Sequence, residues 1–151
     1  MKPQKLQGLE LFDIYHQIAI ALSFSFIIFF LVLCNRIKAE NRALIIKYLI
    51  IFTAGQEVVD YLGRIQFNGL SLEKDLPLHL CHYGLFMGLF SLYKKNQFCF
   101  EFTFLIGIPS ALLAIVTPDM NDYNNWTNYI TFFIHHSLII TFPLWNISID
   151  K

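Results

Sequence analysis

Residues 18–34 read IAIALSFSFIIFFLVLC and carry no charged side chain. A helix needs roughly 20 mostly apolar residues to cross the hydrocarbon core of a bilayer. Four similar windows follow, so the predicted spans lie at about 18–34, 43–62, 76–93, 98–116 and 126–145. Because the bilayer core offers no water to unpaired backbone groups, each span must be helical. The sequence therefore predicts an all-α, polytopic transmembrane helix bundle of about five spans, with residues 1–151 forming a single integral membrane domain.

The composition of the chain supports a membrane protein and excludes several other classes. Charged residues make up 15% of the chain, against about 25% in an average soluble protein. The formal net charge is zero, so we expect no nucleic acid as partner. The expected partner is a membrane lipid, with a membrane-protein partner or homo-oligomer left open. The three cysteines show no CxxC spacing, which argues against a thiolate zinc site, and we predict neither a metal nor a cofactor.

The basic residues between the spans predict an orientation. Arg36, Lys38 and Arg42 follow the first span, and Lys94 and Lys95 follow the third. Loops rich in Lys and Arg stay on the cytoplasmic side of a membrane. The sequence thus predicts a multi-pass membrane protein whose N-terminus lies outside.

The second span carries an unusual number of polar residues. Thr53, Gln56, Glu57, Asp60 and Arg64 fall on one face of a helix at about 100° per residue. Ionisable groups within a span are costly, and they mark functional sites by default. Glu57, Asp60 and Arg64 are therefore predicted to bind substrate in a polar cavity. A polar seam that only joins helices explains the same pattern, so both interpretations stay open.

The third span begins with DLPLHLCHY at residues 75–83. His79 and His82 share one face, and we predict that they bind substrate. Cys81 points about 200° from His79. It lies within the first two turns, where the helix dipole favours a thiolate. Spacing alone nevertheless favours a buried, small apolar residue at this position.

Further polar candidates come from the fourth and fifth spans. His135 and His136 lie near the middle of the fifth span, and at least one of them is predicted to be functional. Asp119 follows the fourth span on the predicted outer side. In the predicted topology, polar groups from four helices collect in the outer half of the bundle. This convergence indicates a site more strongly than any single residue does.

Three segments resemble a known family. They are LPLHLC at 76–81, GIPSALLAIVTPD at 107–119 and FFIHH at 132–136. Together they resemble the YwaF-type bacterial membrane proteins, which are related to the eukaryotic transmembrane protein 164 family. The resemblance covers roughly residues 43–144. Family members usually continue for two further spans, whereas this sequence ends at Lys151, so we expect a C-terminally shortened form: a fragment, a truncated gene product or a reduced member.

For the eukaryotic members, the resemblance implies a lipid acyltransferase that uses a cysteine nucleophile and a histidine. The positions that match are Cys81 and His136. His135 occupies a position where the family more often has a small residue. The bacterial members imply a location in a bacterial cell membrane, but no function of their own.

The leading hypothesis is acyl transfer or acyl hydrolysis on a lipid. Cys81 would attack an ester carbonyl, and His136 or His135 would act as general base and then acid. Asp119 or Glu57 would orient that histidine. The predicted catalytic set is therefore Cys81, His136, His135 and Asp119.

Two other classes of function remain open. His79 and His82, with a histidine of the fifth span and Glu57 or Asp60, have the side chains to hold Zn²⁺ for metal-dependent lipid hydrolysis. A non-enzymatic membrane module, such as the substrate-binding subunit of a transporter, also fits a polar cavity.

Overall fold

The computed structural model of the chain describes residues 10–68, 80–119 and 125–149, and these residues form an all-α bundle. Its helices are α1 Ile14–Asn35, α2 Arg42–Asn68, α3 Leu80–Lys94, α4 Gln97–Val116 and α5 Trp126–Ile149. A short 3-10 turn, Ala39–Asn41, precedes α2, and α4 contains a π-helical turn at Thr103–Gly107. The prediction of an all-α helix bundle is confirmed.

The fifth helix occupies the centre of the bundle. It contacts each of the other four helices, and Leu138, Ile139, Phe142 and Trp145 along its length are fully buried. Its start is fixed by Asn125, whose Oδ1 accepts a hydrogen bond from the backbone N–H of Asn128 at 2.8 Å, as a helix N-cap does. The other four helices therefore pack around α5.

Three of the helices in the described residues, α1, α4 and α5, are long and apolar enough to cross a bilayer. Helix α2 carries more charged residues, and α3 is described over 15 residues, fewer than the roughly 20 that a span requires. Large apolar side chains such as Phe29 of α1 and Leu105 of α4 are two-thirds exposed. A surface of this kind suits contact with lipid chains. The number of crossings and the orientation stay predictions.

Helices α3, α4 and α5 approach closely at three glycines. A Cβ atom on Gly88 would lie 3.2 Å from Thr103 Cγ2 and 3.3 Å from Phe142 Cβ. A Cβ atom on Gly107 would lie 3.2 Å from Ile139 Cγ2, and one on Gly84 would lie 3.4 Å from the same methyl group. Small residues four apart on one helix, as Gly84 and Gly88 are, permit such close packing in lipid.

Replacing Gly88 with leucine should destabilise the bundle by about 3 kcal/mol, because the added side chain has no room between α4 and α5. Gly55 of α2 is the matched control, since a Cβ atom there meets nothing within 4 Å. Gly55→Leu should stabilise α2 by about 0.5–1 kcal/mol through the higher helix propensity of leucine. Thermal unfolding of the two purified variants in detergent measures both effects. Equal melting temperatures would contradict the close approach at Gly88.

Candidate active site

The polar face of α2 lies toward the interior of the bundle. Helix α2 contacts both α3 and α5, and Thr53, Gln56 and Asp60 on this face are buried while Glu57 is half-buried. Ionisable groups at such positions need polar partners. Glu57 and Asp60 have different partners, and they belong to two separate clusters.

A cysteine and a histidine meet between α3 and α5. The Sγ atom of Cys81 lies 3.2 Å from Nε2 of His136. Cys81 is half-buried, and only 4% of His136 is exposed. A nucleophile and a base within hydrogen-bond reach, with the base held by a third group, are the geometric signature of covalent catalysis.

The third group is a backbone carbonyl. Nδ1 of His136 lies 2.8 Å from the carbonyl oxygen of Phe132, one helical turn earlier. A carbonyl oxygen only accepts hydrogen bonds, so Nδ1 carries the proton and donates it. In the neutral imidazole, Nε2 then holds the lone pair. That lone pair faces the Cys81 thiol, which donates its hydrogen to it.

A second cluster surrounds Glu57. Its Oε1 accepts a hydrogen bond from Nδ1 of His135 at 2.7 Å and another from Nε2 of Gln56 at 2.8 Å. Its Oε2 lies 3.4 Å from Nε2 of His82. The rings of His82 and His135 pack edge to face, with centroids 5.0 Å apart. Glu57, His82 and His135 thus join α2, α3 and α5 at one point.

The third cluster surrounds Asp60. Oδ1 of this carboxylate accepts from Nδ2 of Asn128 at 2.8 Å and from Oγ1 of Thr131 at 2.6 Å. Oδ2 accepts from Nε of Arg64 at 2.7 Å. Asn125 donates to Oδ1 of Asn128 and extends the cluster to the start of α5. The predicted substrate-binding residues Asp60 and Arg64 are therefore part of a joint between α2 and α5.

The remaining predicted site residues are Asp119 and His79. Asp119 is exposed and follows the end of α4, and the acid hydrogen-bonded to His135 is Glu57. His79 lies outside the described residues. A role for either in the site stays a prediction.

An apolar groove of about 570 Å³ is lined by residues of α1 and α5. Its wall includes Ser23, Ser25 and Ser137, and each of these hydroxyls donates to a carbonyl of its own helix. Phe133 and Ile134 also line it, whereas Cys81 and Glu57 do not. The groove therefore presents an apolar wall and is separate from the two histidine clusters.

Sequence reasoning missed two parts of the site. One is the hydrogen bond from Nδ1 of His136 to the carbonyl of Phe132, four residues earlier in the same helix. The other is the amide of Asn125 in the Asp60 cluster. A polar residue just before an apolar helix predicts a cap, but not a contact with another helix.

The model of the TMEM164 family matches residues 11–151. No curated protein matches the chain, and no solved structure matches it.

Proposed function

The chain belongs to the TMEM164 family and is an integral membrane protein, and from this premise we propose that it transfers or hydrolyses the acyl group of a membrane lipid. Cys81 is the nucleophile and His136 is the general base. The observation that carries the proposal is the 3.2 Å contact between Sγ of Cys81 and the unprotonated Nε2 of His136. The resemblance to the transmembrane protein 164 family implies the same pair of residues.

The first half of the reaction forms a thioester. Nε2 of His136 takes the thiol proton while Sγ attacks the carbonyl carbon of the lipid ester. The tetrahedral intermediate collapses and the carbon–oxygen ester bond breaks. The proton on Nε2 passes to the departing alkoxide, which leaves as the lysolipid alcohol.

The second half returns the enzyme to its starting state. An acceptor hydroxyl attacks the thioester, and Nε2 of His136 takes its proton. The carbon–sulfur bond breaks, and the thiolate recovers the proton from His136. A lipid alcohol as acceptor gives acyl transfer, and water gives hydrolysis. The hydrogen bond from Nδ1 to Phe132 keeps the ring in place through both halves.

The membrane setting supports a lipid as substrate. The site lies between helices whose outer surfaces carry exposed apolar side chains, and such a surface suits contact with the acyl chains of a lipid substrate. A soluble substrate would gain nothing from that surface. The alternative of a non-enzymatic membrane module gives no role to the contact between Cys81 and His136.

An alkylation experiment tests the pair directly. A lipid-like iodoacetamide should modify Cys81 faster than Cys99, which is also half-buried but lies at the start of α4. His136→Gln should slow the modification of Cys81 by at least about 10-fold, since general-base assistance is worth about 10²–10⁴ in rate. The rate at Cys99 is the internal control and should not change. Equal rates at both cysteines in the unmodified protein would contradict the proposal.

A further inference from the structure

The residues of the Glu57 cluster, which are Glu57, His82 and His135, have no role in the proposed acyl-transfer mechanism. Each residue offers one ligand atom, and these atoms all lie within 4.8 Å of one another. The three side chains come from α2, α3 and α5. We propose that they form a Zn²⁺ site, separate from the pair of Cys81 and His136.

The donor set fits the ion. Two imidazole nitrogens and one carboxylate oxygen are ligands that Zn²⁺ accepts readily, and three protein ligands leave its fourth position open. Glu57 carries a formal negative charge, and its carboxylate contacts His135, His82 and the amide of Gln56. A divalent cation compensates that charge within the bundle, where an unpaired carboxylate is costly.

The nitrogen of His135 that faces Glu57 is Nδ1, which lies 2.7 Å from the carboxylate, and Nε2 of His82 lies 3.4 Å from the same carboxylate. In the metal-free cluster Nδ1 donates its hydrogen to the carboxylate, which only accepts. Zn²⁺ would take the place of that hydrogen, and the neutral imidazole of His135 would then carry its proton on Nε2.

Two pairs of adjacent residues, one in α3 and one in α5, each supply one side chain to the Cys81 pair and one to the Glu57 cluster. In α3, Cys81 contacts His136 while the next residue, His82, contacts Glu57. In α5, His135 contacts Glu57 while His136 contacts Cys81. Successive residues of a helix point about 100° apart, so one helix supplies a side chain to each cluster. The zinc site is therefore testable with Cys81 and His136 as matched controls.

Metal analysis of the purified full-length chain without an affinity tag tests the proposal. We expect about one equivalent of zinc per chain, as a three-ligand site holds. Glu57→Gln and His82→Gln should each lose most of that zinc. Cys81→Ala and His136→Gln should keep it, because neither residue is a proposed ligand. This pattern separates the zinc site from acyl transfer, since those two control variants lose the proposed activity but retain the metal.

A second measurement covers variants that fold poorly. After removal of metal by a chelator, added Zn²⁺ should raise the melting temperature of the unmodified protein and of Cys81→Ala, since a ligand that binds only the folded state stabilises it. The shift should vanish in Glu57→Gln. The proposal is overturned by zinc below stoichiometric amounts together with no thermal shift, by iron in place of zinc, or by loss of zinc in Cys81→Ala.

Discussion

Replacing Cys81 with alanine should abolish acyl turnover of membrane lipids by this protein. The variant has no atom to form the thioester, and loss of a covalent nucleophile removes both halves of the reaction. Cys81→Ser should also be poor, because a hydroxyl is far less ionised than a thiol near neutral pH. The measurement is lipid profiling of cells that express the unmodified protein or the variant, with protein abundance in the membrane matched.

The controls use His136, the second residue of the proposed catalytic pair, and the other two cysteines. His136→Ala should lose as much turnover as Cys81→Ala, and the double variant should be no worse than either, as expected for residues that act as one unit. Cys34→Ala and Cys99→Ala should retain turnover, since neither cysteine contacts His136 in the described structure. Full turnover by Cys81→Ala would refute the covalent mechanism. It would favour the alternatives of metal-dependent hydrolysis or a non-enzymatic role.

Replacing Asp60 with alanine should destabilise the bundle more than replacing an exposed acidic residue with alanine does. The substitution removes the acceptor for Asn128, Thr131 and Arg64 at once. Asn128 and Thr131 keep backbone acceptors, and the side chain of Arg64 is 35% exposed, so we expect a loss of roughly 1–3 kcal/mol in total. The joint between α2 and α5 should loosen, and the melting temperature of the purified protein in detergent should fall.

Glu101 supplies the matched control for Asp60. It is exposed, and its carboxylate accepts from Gln97 one turn away at 2.7 Å, a contact worth only about 0.2–0.5 kcal/mol. Glu101→Ala should therefore leave the melting temperature nearly unchanged. Asp60→Asn should fall between the two, because the amide keeps one oxygen as acceptor. Equal melting temperatures for Asp60→Ala and Glu101→Ala would show that the Asp60 cluster does not stabilise the bundle.

The positions of the helices followed closely from the sequence, while the roles of the polar residues did not. The first predicted span, 18–34, lies inside α1, Ile14–Asn35, and the fifth, 126–145, lies inside α5, Trp126–Ile149. Long apolar runs are a local property, so they locate helices without knowledge of the fold. Helix α2 extends beyond the predicted second span, 43–62, to Asn68, and Arg64 in this extension pairs with Asp60.

The sequence by itself determined that this protein is an all-α bundle with apolar blocks of membrane-spanning character and a polar face on α2, since both properties depend only on residue order and helical period. Spacing alone favoured Cys81 as a packing residue and left His135 and His136 equivalent. Only the tertiary structure showed that Cys81 contacts His136, which is 55 residues away in the sequence. It also showed that His135 is hydrogen-bonded to Glu57. The physical reason is that contacts between helices depend on the rotation and depth of each helix about its axis. Packing at Gly88, Phe142 and similar close approaches sets those quantities, and no local pattern encodes them.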